Sequence, residues 1–406
     1  MGMRIKIAVL FVVVLLPLFA FKFFEPSSLD TLFIVKIDAQ TKEKRTQISG
    51  LGIAIEEVSN DYVVGFCHRE QLADLRNLGF TFQSKSMTQY LLDFPPADSD
   101  FHNYGELKTD LEKLAATHPE IAELSSIGKS VLNRELYVMR ISSPQKKIKE
   151  SKPGIIFMGL HHAREHLSAE IALALIRHLL ENYGVDEKMT NLIDKREIFV
   201  LPMVNPDGAE FDIRGDSPYK WWRKNRQGKD SPRVYGVDLN RNYGHRWGGQ
   251  GSSANPISET YRGPYAFSEP ETQVVKSFIE AHKNLKILLS YHAFGELVLF
   301  PWGHTYDSIE DETDLRVHQT LAAQVAAMTG YTAQQSSDLY ITSGDTTDWS
   351  YGAEGIISFT IELYPGSMQG GGFYPPATKI QQVIDNNIPA ALYLIEVAGN
   401  PRRVVN

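Results

Sequence analysis

Residues 159–170 read GLHHAREHLSAE and crowd three histidines (His161, His162, His166) and two glutamates (Glu165, Glu170) into twelve positions. Neutral imidazole and carboxylate at close spacing are zinc ligands. Two zinc assignments compete. In the first, His162 and Glu165 of an H-x-x-E loop are ligands, and a distant third ligand completes a site with one position open to water. In the second, His162-Ala-Arg-Glu165-His166 is an H-x-x-E-H motif, with both histidines ligating from one helix face and Glu165 as base. The plain alternative is that these histidines cap a helix or line a polar surface.

Five other stretches carry chemistry. Ser290-Tyr-His292 closes an apolar run and offers a lone distant histidine. GVDLNRNY (236–243) holds Asn240 and Arg241 side by side. WWRKNR (221–226) is basic and aromatic. LYITSGDTTDWSY (339–351) is a glycine-bearing loop. FTIEL (359–363) ends a buried-looking strand with Glu362, and a carboxylate there needs a partner or a task. Each has a bland reading: a core histidine, a surface hydrogen bond, a solvated face, simple packing. Their order and spacing together exceed what chance supplies.

That order resembles the carboxypeptidase A/B family of zinc metallocarboxypeptidases over roughly residues 101–400: H-x-x-E, W-R-K, G-V-D-x-N-R-N, S-x-H and F-T-x-E-L, with a tyrosine 22 residues before the glutamate. In detail it is most similar to bacterial carboxypeptidase T-like enzymes, which share an H-H-A-R-E-H type loop. The resemblance implies one catalytic Zn2+ held by His162, Glu165 and His292. It implies Asn240 and Arg241 as binders of the substrate's terminal carboxylate, and Tyr340 as a mobile tyrosine closing over the substrate. Arg223 would polarise the scissile carbonyl, Glu362 would be the general base, Arg164 would line an outer subsite, and Asp238 would orient His162. General chemistry agrees. An exopeptidase must recognise a free carboxylate, and a planar guanidinium beside an amide does so. Asp238 would fix the tautomer of His162. The H-x-x-E-H assignment then fails, because it leaves His292, Glu362 and the Asn240–Arg241 pair without roles. His161 and His166 become neighbours of the site and not ligands.

One departure is Phe294, where the family often has a tyrosine two residues after the third ligand. It removes a hydroxyl from the outer subsite and spares the catalytic set. The pocket-base position, 15 residues before the glutamate, is Thr347, which selects neither acidic nor basic side chains. Asp345 lies close enough in sequence to reach a lysine or arginine. The expected specificity is broad, covering apolar and basic C-terminal residues.

The elements that must position these groups are legible in outline. The chain has 406 residues, more than one typical domain. A net charge of −8 without a long basic run argues against nucleic acid as a partner. The one cysteine, Cys67, excludes an intrachain disulfide. Arg4 and Lys6 precede an apolar run at 7–21, as in a secretory signal. Residues 1–25 are therefore expected to be a signal peptide, or an uncleaved membrane anchor. The protein is expected to be secreted or periplasmic, or anchored to the membrane by that segment.

Residues 26–92 alternate strand-like (31–37, 52–55, 62–66, 80–83) and helical (69–78) patterns, predicting a small α+β module. It carries no catalytic cluster and sits where a propeptide would, so an activating protease is an expected partner. The proline-rich, acidic 93–100 reads as a linker and lacks a dibasic site. Beyond it, apolar runs at 136–141, 154–159, 197–203, 286–291, 297–301 and 356–362 alternate with helical stretches at 168–183, 269–282, 313–328 and 377–397. This predicts an α/β domain over 101–400 with a mixed, mostly parallel central sheet flanked by helices. Sites in such sheets lie at the carboxyl ends of strands. The expected function is hydrolysis of C-terminal peptide bonds by a secreted zymogen. The alternatives are an exported hydrolase of peptidoglycan peptides on the same fold and a catalytically dead binding module.

Overall fold

Gly154–Met158 (GIIFM) is buried at all five positions, which only a strand covered on both faces permits. In the computed structural model, which describes residues 32–86, 100–144, 151–213, 219–228 and 235–405, this strand lies near the middle of an eight-stranded sheet. The expected signal or anchor at 1–25, and the linker apart from Asp100, lie outside the described residues. Among those described, no helix is long and apolar enough to cross a membrane.

The large sheet comprises β5 (Ala122–Lys129), β6 (Glu135–Ile141), β7 (Gly154–Met158), β8 (Glu197–Leu201), β9 (Leu285–Ala293), β10 (Leu297–Phe300), β11 (Thr332–Gln335) and β12 (Ile357–Leu363), in the order β11-β10-β12-β9-β7-β8-β6-β5. The central β8-β7-β9-β12 run is parallel, whereas β10 on β12 and β6 on both β5 and β8 are antiparallel. The sheet is thus mixed as expected. Alternate residues face opposite ways. Ile155, Phe157, Val200, Leu289 and Phe359 point into one core with α4 (His166–Asn182), α8 (Glu312–Thr329) and α10 (Ile380–Val397). Ile156, Met158, Phe199 and Leu288 point into the other, against α7 (Pro270–Ala281), α9 (Thr346–Gly352) and the loop carrying Leu239 and Tyr243. Truncating a side chain such as Phe157 would cost about 3–5 kcal/mol.

The chain leaves β7 toward β8 on one side and later returns to β9 on the other. That reversal opens a crevice at the carboxyl ends of β7 and β9. The exit from β7 is tight. A Cβ on Gly159 would lie 2.6 Å from the carbonyl oxygen of Ser168, and Leu160 holds a positive φ of 58°. Glu165 is the N-cap residue of α4 but makes no side-chain cap bond, so its carboxylate is committed elsewhere.

The N-terminal module is a β-α-β-β-α-β unit: β1 (Leu32–Asp38), α1 (Lys42–Gly50), β2 (Ala54–Val58), β3 (Tyr62–His68), α2 (Arg69–Asn77) and β4 (Phe82–Ser86). Its strands are all antiparallel in the order β2-β3-β1-β4. One face buries Val35, Ile37, Val63 and Cys67 under Ile48, Leu72 and Leu75 of its own helices. Burial there pushes the Cys67 thiol up to about 12. The other face sends Leu32 and Phe66 into the core of the larger domain. Helix α1 escapes the sequence pattern because KEKRTQISG has almost no apolar periodicity. Thr41 caps it, accepting from the Lys44 amide.

Candidate metal centre and active site

The loop after β7 and the end of β9 bring His162, Glu165 and His292 together, all buried, with ligating atoms within 4.8 Å of one another. His162 Nδ1 lies 2.7 Å from Glu165 Oε1, His292 Nδ1 lies 2.9 Å from Glu165 Oε2, and the two Nδ1 atoms are 3.2 Å apart. Both imidazoles spend Nε2 outward, His162 on Asp238 Oδ1 (3.2 Å) and His292 on Ser290 Oγ (3.1 Å). Each ring is thereby turned so that Nδ1 faces the common point, as orienting partners of metal-bound histidines do. Two imidazole nitrogens and one carboxylate are the donor set of hydrolytic zinc, so these residues fit the ion. Burial would raise the Glu165 carboxyl, but His162 and His292 hold it below the usual range. Burial keeps His292 below its usual value and hence neutral, the form that ligates.

Asp238 is the hub of the surroundings. Its Oδ1 meets His162 and accepts from the Asn240 amide (2.9 Å), and its Oδ2 accepts from Arg223 Nε (3.0 Å). Burial opposes its charge, yet Arg223, His162 and Arg241 hold it well below the usual carboxylate range. The two loops that supply Arg223 and Asp238 are tied through Asn225, whose amide donates to Val237 O and whose side-chain oxygen accepts from the Val237 amide.

A cavity of about 440 Å³ opens beside the triad, lined by Arg223, Asn240, Arg241, Tyr340, Asp345 and Glu362 among others. Glu362 sits beside His292 across the parallel β9–β12 pair. Burial raises its carboxyl well above the usual range, aided by Glu165 and Glu56 and opposed by Arg223 and Arg241. Arg241 is held by Gly251 O (2.9 Å) and Asn240 O (2.8 Å). Asp345 caps α9 by accepting from the Asp348 amide, and takes a second bond from Thr342. Burial and neighbouring Asp348 push its carboxyl up to about 7.

Thr347 stands one layer back from the cavity, its hydroxyl 2.7 Å from that of Thr360, which does line it. Arg164 is not among the residues that line this cavity. It is fully buried, with Nη1 donating to Trp221 O and Glu259, and its guanidinium packs against the rings of Phe66 (4.6 Å) and Phe373 (4.3 Å). Phe294 lines the cavity. His166 is not at the triad. Its Nε2 meets Asp212 (3.0 Å), which also accepts from Tyr374 and the Trp222 amide and so braces the loop before Arg223.

One site residue was not foreseen. Glu56 lies in β2, at the point where the β2–β3 register slips by a residue between Ile55 and Glu57. Such a bulge re-aims a side chain, and here it aims Glu56 into the cavity. Its Oε1 lies 2.6 Å from Arg164 Nη2 and 3.2 Å from Arg223 Nη1. Around it, Tyr340 donates to Ile55 O (3.0 Å), Ser258 donates to Gly52 O (2.7 Å), and the Met368 amide donates to Glu57 (3.1 Å). Gly52 is required at this approach. It holds a positive φ of 79°, and a Cβ would meet Ser258 Oγ at 2.2 Å. The sequence alone does not single it out, because Glu56 and Glu57 stand side by side in AIEEV and only the bulge selects which of them faces the cavity.

The sequence pattern described as zinc carboxypeptidase matches residues 107–390. Over 396 residues, covering 92% of this chain and 90% of the relative, the sequence is 31% identical to a zinc carboxypeptidase of Saccharothrix mutabilis subsp. capreolus. It is 32% identical to carboxypeptidase A1 of Bos taurus over 306 residues, 74% of this chain and 70% of the relative. The fold is similar to that of the carboxypeptidase A from Helicoverpa armigera, with a TM-score of 0.76, 24% identity, and 92% of this chain and 98% of that one covered. Thrombin activatable fibrinolysis inhibitor superposes with a TM-score of 0.72 at 22% identity, covering 91% of this chain and 99% of the other.

Proposed function

The chain belongs to the zinc carboxypeptidase family, and from that premise we propose that it removes C-terminal residues from peptides with Glu362 as general base, and that it is made as an exported zymogen. The observation that carries the reading is the convergence of His162, Glu165, Glu362, Arg223, Asn240 and Arg241 on one cavity, with His292 completing the triad beside it. When bound, zinc supplies polarisation of a carbonyl and of a water molecule. Arg241 and Asn240 hold the substrate's terminal carboxylate and so set the scissile bond one residue in. Tyr340, whose hydroxyl burial pushes up to about 12, stays protonated and donates from above. A carboxylate of Glu362 takes a proton from the attacking water and returns it to the leaving amine. Arg223 donates to the developing oxyanion, a contribution of about 3–4 kcal/mol per donor in such sites.

The zymogen reading is supported by Glu56, which occupies Arg164 and Arg223 with a carboxylate, and by Tyr340 being engaged on the β2 backbone. The Saccharothrix relative also aligns over a span that necessarily includes most of the N-terminal module. Export is supported by the charged and apolar pattern at 1–25. Broad specificity is supported by a cavity holding both Leu299 and Asp345. The test is residue release from a peptide with a free C-terminus and from its C-terminally amidated twin, before and after limited proteolysis within 87–99. Release from the free peptide alone, rising after cleavage, is expected. Equal cleavage of the amidated twin would overturn the exopeptidase reading, and full activity without cleavage would overturn the zymogen.

A further inference from the structure

His161, fully buried next to a metal ligand, has no part in the mechanism above. Its contacts, read in order, fix where each proton sits. The backbone N–H of Thr346 can only donate, and it lies 2.9 Å from Asn240 Oδ1. That atom is therefore oxygen, and the amide nitrogen of Asn240 is left for the cavity. Thr346 Oγ1 also lies 2.9 Å from Asn240 Oδ1, so its single proton goes there. The same Oγ1 is 3.2 Å from His161 Nε2, and having spent its proton it must accept. Nε2 thus carries the His161 proton, shared with Tyr243 Oη at 3.0 Å. In a neutral ring Nδ1 is then an acceptor, and Ser290 Oγ, 3.2 Å away, donates to it. Ser290 Oγ in turn faces His292 Nε2 at 3.1 Å, and so accepts from it. His292 Nδ1 is left as a lone pair pointing at Glu165 and His162.

We infer that His161 is a positioning residue: one polarised relay, His292 → Ser290 → His161 → Thr346 → Asn240, sets the ligating tautomer of His292 and the outward-facing amide of Asn240 together. This rests on the reading of His292 as zinc ligand and Asn240 as carboxylate clamp. The ring of His161 also stacks on that of His292, with centroids 5.5 Å apart and planes at 17°. Packing and polarity therefore have to be separated.

Two substitutions do so. His161→Phe keeps a flat ring on His292 and cuts the relay. His161→Gln loses the ring but keeps an N–H donor for Thr346 and an oxygen acceptor for Ser290. Zinc dissociation constants of the full chain, measured by chelator competition, should rise about 10- to 100-fold for the Phe variant, the usual effect of losing an orienting partner. The Gln variant should recover most of that loss. Ser290→Ala combined with His161→Phe should be no worse than the weaker single variant, because both break one chain. Nitrogen-15 spectra of the histidine-labelled wild type should show the His161 proton on Nε2. A proton on Nδ1, a Phe variant with wild-type zinc affinity, or a Gln variant no better than Phe would each overturn the relay. A wild-type chain that held no zinc would instead sink the ligand assignment, while the His161 tautomer would still test the relay. If the Phe variant fails to fold, that spectrum decides.

Discussion

Glu56 Oε1 lies 2.6 Å from Arg164 Nη2, so a carboxylate from the N-terminal module closes a buried ion pair with the catalytic domain. Arg164 keeps Glu259 and Arg223 keeps Asp238 when that carboxylate is gone. Glu56→Ala should therefore weaken docking by on the order of 2–3 kcal/mol without wrecking either arginine. The uncleaved chain should gain activity, roughly 30- to 150-fold, while the cleaved enzyme is unchanged. Kinetics on both forms check this, and an uncleaved variant as silent as wild type would refute the role of Glu56.

Glu362→Gln keeps the shape of the side chain and removes its basicity. The kcat should fall about 10²- to 10⁴-fold, with one zinc per chain retained. Metal analysis beside steady-state kinetics separates the two effects. Wild-type turnover in the variant would transfer the base role elsewhere.

His162→Ala should lose zinc, because it removes one of three converging donors. His166→Ala should retain it, because that ring bonds Asp212 outside the triad. Leaving Asp212 short of one partner should cost His166→Ala about 1–3 kcal/mol of stability. Zinc content by mass spectrometry and thermal unfolding read the two outcomes, and loss of zinc from both variants would revive the H-x-x-E-H assignment.

Asp345, with its carboxyl pushed up to about 7 by burial and then by Asp348, should make specificity depend on pH. Below about 7 the group holds its proton and is neutral. Above it the group is charged and favours a basic C-terminal residue, which stays cationic throughout. The ratio of kcat/KM for peptides ending in Arg over those ending in Leu should rise between pH 6 and 8. Asp345→Asn, which preserves the helix cap, should flatten the ratio. A ratio independent of pH in the wild type would remove Asp345 from specificity.

What the sequence made legible was local or strongly ordered. H-x-x-E follows an all-apolar strand, and S-x-H and F-T-x-E-L each end a largely apolar one, so the sheet and the donor set are legible in the sequence alone. The neighbouring strands β9 and β12 then set Glu362 beside His292. What escaped depends on register and approach. Glu56 reaches the cavity only because β2 slips by one residue, and no composition signal encodes a bulge. His161 looked idle because its partners, Ser290 and Thr346, are 129 and 185 positions away. Thr347 is set back because its hydroxyl turns to Thr360, a pairing across a helix and a strand. Spacing along the chain identifies groups that share a turn or a strand, and not those that meet across loops.

The sheet of the N-terminal module has apolar side chains on both faces, one under its own helices and one, through Leu32 and Phe66, in the core of its neighbour. Phe66 lies 5.1 Å from the ring of Trp221 and 5.8 Å from that of Phe373. A module cut free would turn this second face to water, and contiguous apolar surface of that kind invites association or local unfolding. If the module restrains the enzyme, as in the zymogen proposed above, it would thus be least durable once it has left. Activation would then work as a ratchet: the cut releases the module, and the module's own exposed face discourages its return.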